Sequence, residues 1–273
     1  MSRDVVCIIP ARLESTRLPK KLLRTIDGKP LLQFVYENAR KASLLSRVIV
    51  ACDHEELKQC VESFGGEAIL TGKHHTSGTE RIAEVASRLA CEWVVNVQGD
   101  EPLMNPETID QVIQVLRKDP TCVMSTACVA KEDADGYRDP NVVKVTKDRS
   151  GWALYFTRSP IPYDRDGHSV RHYKHLGIYG YRRDFLVQFP LLPASTLEPL
   201  ERLEQLRVIE NGYRIKVVET KHDSIGVDTE KEFNRVSEIL LTRGREVHRS
   251  QVGLSRAPQT HGHISGKLKG SHA

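Results

Sequence analysis

Residues 5–9, Val-Val-Cys-Ile-Ile, form an apolar run with no polar alternation, the pattern of a strand buried on both faces. Comparable runs recur at 47–51, 67–70 and 93–97, and the stretches between them, 30–45, 55–64 and 79–90, carry apolar residues at helical spacing. The order βαβαβαβ predicts an α/β fold with a mostly parallel central sheet, helices on both faces, and ligand loops at the carboxyl ends of the strands.

After a helix over 107–117 the rhythm changes. Closely spaced strand patterns at 123–130, 142–147, 152–157 and 173–181 predict a smaller mixed or antiparallel extension. A long helix over 198–211 stops at Gly212, followed by a strand at 214–219 and a helix over 229–241. Residues 1–245 therefore read as one domain with halves at 1–121 and 122–245, and no internal repeat is visible. Residues 246–273 are rich in Gly and Ser and nearly free of aliphatic periodicity, so a disordered basic tail is expected there.

Composition narrows the class without naming it. With 39% apolar and 28% charged residues in 273, the chain is an ordinary globular protein able to bury a large core. No apolar run is long enough to span a bilayer, and the first strand pattern begins too early to leave room for a signal peptide; the expected location is the cytoplasm. The six cysteines form no Cys-x-x-Cys pair and are expected to be free and reduced. The net charge of +4 is local: after residue 242 there are six basic residues and one acid, which leaves 34 basic and 35 acidic side chains in residues 1–242. A near-neutral body argues against a nucleic-acid or membrane-surface binder led by the tail. His261, His263 and His272, with no fold expected around them, carry little weight as metal ligands.

The candidate chemistry gathers behind the strands. Arg12, Arg17, Lys20 and Lys21 follow the first strand, where four cations suit a triphosphate, although a charge run alone also suits a solvated loop. Gln98-Gly99-Asp100-Glu101-Pro102 follows the fourth strand. Asp100 there suits Mg²⁺ bound to phosphates, or a cap for the next segment. Asp228, in Gly226-Val227-Asp228-Thr229, is a second such acid or a plain helix cap. Ser77-Gly78-Thr79-Glu80-Arg81 opens a helix, offering free backbone N–H groups to an anion or simply an N-cap. The second half concentrates Arg158, Tyr163, His175 and Tyr179, residue types that hold the carboxylate and hydroxyls of a sugar acid, or fill a half-buried sheet.

Taken in order, Ile9-Pro10-Ala11-Arg12, Ser15-Thr16-Arg17-Leu18-Pro19, Ser77-Gly78-Thr79-Glu80-Arg81, Asn96-Val97-Gln98-Gly99-Asp100-Glu101-Pro102, His175-Leu176-Gly177-Ile178-Tyr179-Gly180-Tyr181, Leu203-Glu204-Gln205-Leu206-Arg207 and Gly226-Val227-Asp228-Thr229 resemble the 3-deoxy-manno-octulosonate cytidylyltransferases over roughly residues 4–245. The resemblance implies a Rossmann-like nucleotidyltransferase that joins CTP to the sugar acid Kdo, giving CMP-Kdo and pyrophosphate for lipopolysaccharide assembly. It implies Mg²⁺, a cytoplasmic homodimer, and a second half that serves sugar binding and dimerisation. By position, Ala11, Arg12, Arg17, Lys21, Ser77, Gly78 and Arg81 would bind the nucleotide, and Asp100 and Asp228 the metal. Gln98, Arg158, Tyr163, His175, Tyr179, Glu204 and Gln205 would line the sugar site.

The expected catalytic set is Arg12, Lys21, Asp100 and Asp228. Where the family pattern runs Leu-Pro-Gly-Lys-Pro, this chain has Leu18-Pro19-Lys20-Lys21-Leu22. If the glycine of that pattern needs positive φ, Lys20 is accommodated at some backbone strain. The departure also leaves Lys20 as the alternative to Lys21 on the triphosphate. The nearest rival reading is a cytidylyltransferase for a sialic-acid type of sugar, sharing the first half and differing in the second.

Overall fold

The computed structural model describes residues 4–167 and 171–254. All of β1 (Val5–Ala11) is buried; Val5, Cys7, Ile9 and Ala11 pack into one apolar cluster and Val6 and Ile8 into another. A small hairpin of β2 (Thr25–Ile26) and β3 (Lys29–Pro30) turns through Asp27 and Gly28, both at positive φ, as a tight two-residue turn requires. It delivers the chain into α1 (Leu31–Ala39). The alternation continues with β4 (Arg47–Cys52), α2 (Glu55–Ser63), β5 (Ala68–Leu70), α3 (Gly78–Ser87) and β6 (Trp93–Val97). Next comes α4 (Pro106–Lys118), where Asn105 accepts a hydrogen bond from Glu107 N at 2.8 Å and proline takes the first helical position.

The second half contains β7 (Met124–Lys131), α5 (Ala134–Arg138), β8 (Lys144–Lys147), β9 (Ala153–Thr157), β10 (His172–Arg182), α6 (Arg183–Gln188), α7 (Leu197–Glu201), α8 (Gln205–Glu210), β11 (Ile215–Glu219) and α9 (Glu230–Leu254). Strand order across the main sheet is β11-β7-β10-β6-β1-β4-β5. The ladders β6-β1-β4-β5 and β7-β11 are parallel, while β10 runs antiparallel between β6 and β7 and carries the β8-β9 hairpin. The expected antiparallel extension is thus sewn into the parallel sheet through one strand.

Both faces of the sheet are covered, as the unalternating strands require. Leu32 and Val35 of α1, Leu57 and Val61 of α2, and Val112 and Leu116 of α4 pack on one face. Ile82 and Val85 of α3, Leu186 of α6 and Leu206 of α8 cover the other. A third cluster joins Leu18, Ile26, Leu31, Leu103 and Val227 to Phe233 and Val236 of α9.

Three expectations change. The helix anticipated over 198–211 is two short helices, because Arg202 takes a left-handed conformation at φ 53°; the break turns Leu203 into the core at 6% exposure. Helices α1 and α3 end at Ala39 and Ser87, short of the apolar patterns that suggested them. And α9 continues past Arg245 to Leu254, so the first part of the stretch expected to be disordered is helical. Residues 255–273, with His261, His263 and His272, lie outside the described residues. All six cysteines are free, and burial pushes the Cys7 thiol up to about 12.

Candidate active site

Because β1 and β6 are parallel neighbours, with Ile8 opposite Asn96, their carboxyl ends release the loops at 12–24 and 98–101 side by side. Gly99 permits the approach: a Cβ there would stand 2.8 Å from Pro10 O, closer than a side chain tolerates. The two loops, the start of α3 and the segment before α9 enclose a cavity of about 320 Å³. Ala11, Arg12, Arg17, Lys21, Ser77, Gly78, Arg81, Gln98, Asp100, Glu204 and Asp228 all line it, so the residues expected to take the nucleotide and metal converge on one site.

Lys21 is the centre of the charge arrangement. Its Nζ donates to Asp100 Oδ2 at 2.6 Å and to Asp228 Oδ1 at 2.8 Å, with the whole residue 8% exposed. Burial works to lower the lysine, yet the two carboxylates hold it above its ordinary value. Asp228 shows the complement: burial pushes its carboxyl up, and Lys21 and Arg17 more than reverse the push. Arg17 completes the group through Nη2 at 2.8 Å from Asp228 Oδ2. Neither acid serves as a helix cap. Asn105 caps α4, and α9 opens with a Thr229–Glu232 capping box in which Glu232 Oε2 accepts from Asp228 N and Thr229 N, both at 2.8 Å.

The neighbouring lysine points elsewhere. Lys20 lies at φ 47° and ψ 35°, the left-handed region that favours glycine, so the residue that stands at the family's glycine takes a glycine-favouring backbone. Its ammonium donates to both carboxylate oxygens of Glu56 at 2.8 Å, leaving Lys21 as the lysine that lines the cavity.

On the α3 side, Ser77 is both cap and lining. Its Oγ accepts from Glu80 N at 3.2 Å, and the Ser77 and Thr79 hydroxyls lie on the side of Glu204. Burial raises the Glu204 carboxyl, and those hydroxyls partly oppose it. Arg81 is fixed by Thr71 Oγ1 at 2.6 Å and by Asp53 at 3.7 Å. Asp53 also accepts from Leu13 N at 2.9 Å, tying the basic loop to Arg81. Two residues of this wall went unnoticed in the sequence. His75 lines the cavity with its Nε2 2.5 Å from Glu84 Oε2; Asp53 stands directly after an apolar strand, the same signal that marked Asp100.

The expected sugar residues divide. Gln98 and Glu204 line the cavity, whereas Arg158, Tyr163, His175, Tyr179 and Gln205 do not. Arg158 is held by backbone carbonyls, Nε on Glu201 O at 2.8 Å and Nη1 on Pro140 O at 3.0 Å. Tyr163 is 84% exposed. Buried His175 and Gln205 and partly buried Tyr179 instead form a polar group behind Glu204: Tyr179 Oη donates to Gln205 Oε1 at 3.1 Å, and the His175 and Tyr179 ring centroids are 5.4 Å apart. Thr126 Oγ1 gives its proton to Ile178 O at 2.7 Å, so His175 Nε2, 2.9 Å away, must be the donor to that hydroxyl. Burial drives His175 down to about 3.

Among the described residues no group of three or more His, Cys, Asp and Glu side chains could hold a metal unaided. Two carboxylates already gathered around one cationic centre do fit Mg²⁺, which takes one or two carboxylates and completes its shell with water and phosphate oxygens.

Comparison with known proteins agrees with this layout. Residues 6–217 match the family model described as Cytidylyltransferase. The 3-deoxy-manno-octulosonate cytidylyltransferase of Geobacter sulfurreducens is 48% identical over 248 residues, covering 87% of this chain and 99% of that protein. The protein of the same name from Geotalea daltonii is 49% identical over 251 residues, covering 88% and 99%. A solved structure of CMP:2-keto-3-deoxy-manno-octonic acid synthetase complexed with CTP superposes with a TM-score of 0.84 at 41% identity, covering 88% of this chain and 99% of that one. With the sheet, the cavity and these relatives in agreement, the chain belongs to the 3-deoxy-manno-octulosonate cytidylyltransferase family.

Proposed function

We infer that the protein activates Kdo with CTP, forming CMP-Kdo and pyrophosphate for lipopolysaccharide biosynthesis. The observation that carries the reading is the convergence of Arg12, Arg17, Lys21, Asp100 and Asp228 on one cavity in a chain 48% identical to proteins of that name. The anomeric hydroxyl oxygen of Kdo attacks the α-phosphorus of CTP and gives up its proton to water, the new O–P bond forms as the bond from the α-phosphorus to the oxygen bridging to the β-phosphate breaks, and that oxygen leaves with its electron pair as pyrophosphate. Such a transfer asks the protein for positioning and charge neutralisation more than for covalent chemistry.

Asp100 and Asp228 would hold Mg²⁺. When bound, the ion neutralises phosphate charge as the transfer proceeds. Lys21, Arg12 and Arg17 take the charge that develops on the leaving pyrophosphate. Ser77, Gly78 and Arg81 seat the nucleotide, and Gln98 and Glu204 face the sugar from the cavity wall. Arg158 and Tyr163 would reach the sugar from the loop at 158–163, while His175, Tyr179 and Gln205 would act from behind Glu204. A homodimer is proposed to form through the second half. No helix among the described residues is long and apolar enough to cross a membrane, and the proposed location is the cytoplasm.

The test is pyrophosphate release from each nucleoside triphosphate paired with a panel of sugar acids, with and without Mg²⁺. CTP with Kdo and Mg²⁺ is expected to be the productive combination. Preference for a sialic acid, or turnover unaffected by chelation, would overturn the sugar or the metal assignment respectively.

A further inference from the structure

Beside the paired carboxylates lies a polar cluster to which the reaction described above gives no task. Glu101 directly follows Asp100 and is partly buried. It accepts a hydrogen bond from Ser224 Oγ, a residue only 3% exposed. Two glycines make room for it: a Cβ on Gly226 would stand 3.1 Å from Glu101 Oε1, and one on Gly177 3.4 Å away. Around Ser224 the chain is pinned further. Lys174 of β10 donates to Ser224 O and Asp223 Oδ1, both at 2.8 Å, and Lys131 of β7 pairs with Asp223 at 2.7 Å. Val227 N then donates to Asp100 O at 2.9 Å, immediately before Asp228.

The segment at 223–228 is therefore anchored to the sheet at its start, to Glu101 through Ser224, and to the Asp100 backbone at its end. Lys21 bridges the two carboxylates, but Asp228 and Asp100 are distant in sequence and repel each other as anions, so once that ammonium turns to phosphate these contacts of the 223–228 segment are what keep the pair together. We propose that Glu101 is a positioning residue: through Ser224 it holds the segment bearing Asp228 in register with the loop bearing Asp100, and so sets the affinity of the carboxylate pair for a divalent cation in the CTP complex. The inference rests on the metal reading given above. Outer partners of metal ligands commonly matter by about 10- to 100-fold in affinity, and Mg²⁺ tolerates little departure from octahedral geometry.

The test measures Mn²⁺ binding to the full chain in the presence of CTP by electron paramagnetic resonance, with KM for CTP at saturating metal and Tm recorded alongside. Ser224→Ala removes one oxygen atom, and Glu101→Ala removes the acceptor; both are expected to weaken Mn²⁺ binding by about tenfold or more while KM for CTP stays close to that of the parent. Glu101→Gln, which keeps an oxygen acceptor for Ser224 Oγ, is expected to bind Mn²⁺ as the parent does. Parent-like binding in Ser224→Ala and Glu101→Ala, alongside loss in Asp228→Asn, would overturn the positioning role and leave the metal site standing. Parent-like binding in Asp228→Asn would overturn the metal reading itself. Equal weakening in Glu101→Gln and Glu101→Ala would also overturn the proposal, since the charge and not the bond would then matter.

Discussion

Lys21 Nζ sits 2.6 Å from Asp100 Oδ2 while also donating to Asp228, so the proposed phosphate lysine and the proposed metal acids share one charge-balanced centre. On the proposed function, a substrate triphosphate with its cation would enter that centre by exchanging partners, the ammonium passing to phosphate oxygens and the carboxylates being left to hold the cation. On the proposed function the pair acts as a preorganised site, and that reading sets its expectations apart from those of a structural ion pair. Asp100→Asn and Lys21→Ala should each lower kcat by about 10²- to 10³-fold, the magnitude seen when a preorganised charge-stabilising group is removed. Asp100→Asn should also raise the Mg²⁺ concentration needed for half-maximal rate, which a magnesium titration of pyrophosphate release measures.

Lys20 offers the opposite expectation although it is the adjacent cation. A non-glycine residue in the left-handed region costs about 1–2 kcal/mol, and its exposed pairing with Glu56 returns about 0–1 kcal/mol. Lys20→Gly relieves the backbone and gives up about 0.5–1 kcal/mol through the freer unfolded chain. Stability from urea unfolding should therefore stay within about 1 kcal/mol of the parent, and kcat/KM should be unchanged. Lys20→Val, a β-branched residue in the same conformation, should be clearly destabilising.

How far these features could be read in advance depends on what each leaves in the local sequence. Burial on both faces abolishes polar alternation, so β1 and β6, and hence the adjacent loops carrying Lys21 and Asp100, were legible. The positive φ at Lys20 was legible only because a related pattern has glycine there. The turn at Arg202 left no such trace: helical periodicity runs through it on both sides, and only packing of Leu203 against the core favours the break. Contacts between remote segments, such as Ser224 with Glu101 or Asp53 with Arg81, leave no periodic mark. The sugar-facing residues were recognisable by type, but their type could not say that Arg158 would be occupied by carbonyls or that His175 would be buried.

Burial of His175 has a consequence for acid stability. Its imidazole is lowered from 6.5 to about 3 in the folded protein, so between those values the unfolded chain binds a proton that the native state refuses. Stability is full above about pH 6.5 and declines as pH falls toward 3, by roughly 1.4 kcal/mol for each unit in that window. Glu101 works in the other direction: burial raises it from 4.5 to about 7, so its contribution weakens as pH rises through that range. The difference between the parent and His175→Gln isolates the imidazole, because Glu101 is common to both. Urea unfolding of the two proteins from pH 7 to pH 4 should show a shallower loss of stability in His175→Gln.

The third apolar cluster predicts a separation of activity from global stability. Leu18 precedes the lysines of the first loop, Val227 precedes Asp228, and both pack against Phe233 of α9, which is 7% exposed. The Arg24 guanidinium covers the same ring at 4.2 Å from its centroid and pairs with Glu230. The Phe233 ring therefore supports both walls of the charged centre from behind, while the two clusters flanking the sheet do not depend on it. A buried Phe→Ala change costs about 3–5 kcal/mol when the whole core must respond. Here α9 can loosen first, so Phe233→Ala should lose much of its kcat/KM and expose α9 to limited proteolysis at temperatures where the far-ultraviolet circular dichroism of the sheet domain is intact. Leu57→Ala, in the cluster under α2 and remote from α9, should lower Tm and leave kcat/KM of the folded protein near that of the parent. If activity and Tm fell together in both variants, the coupling of α9 to the two loops would be refuted, and the helix would be no more than another piece of the core.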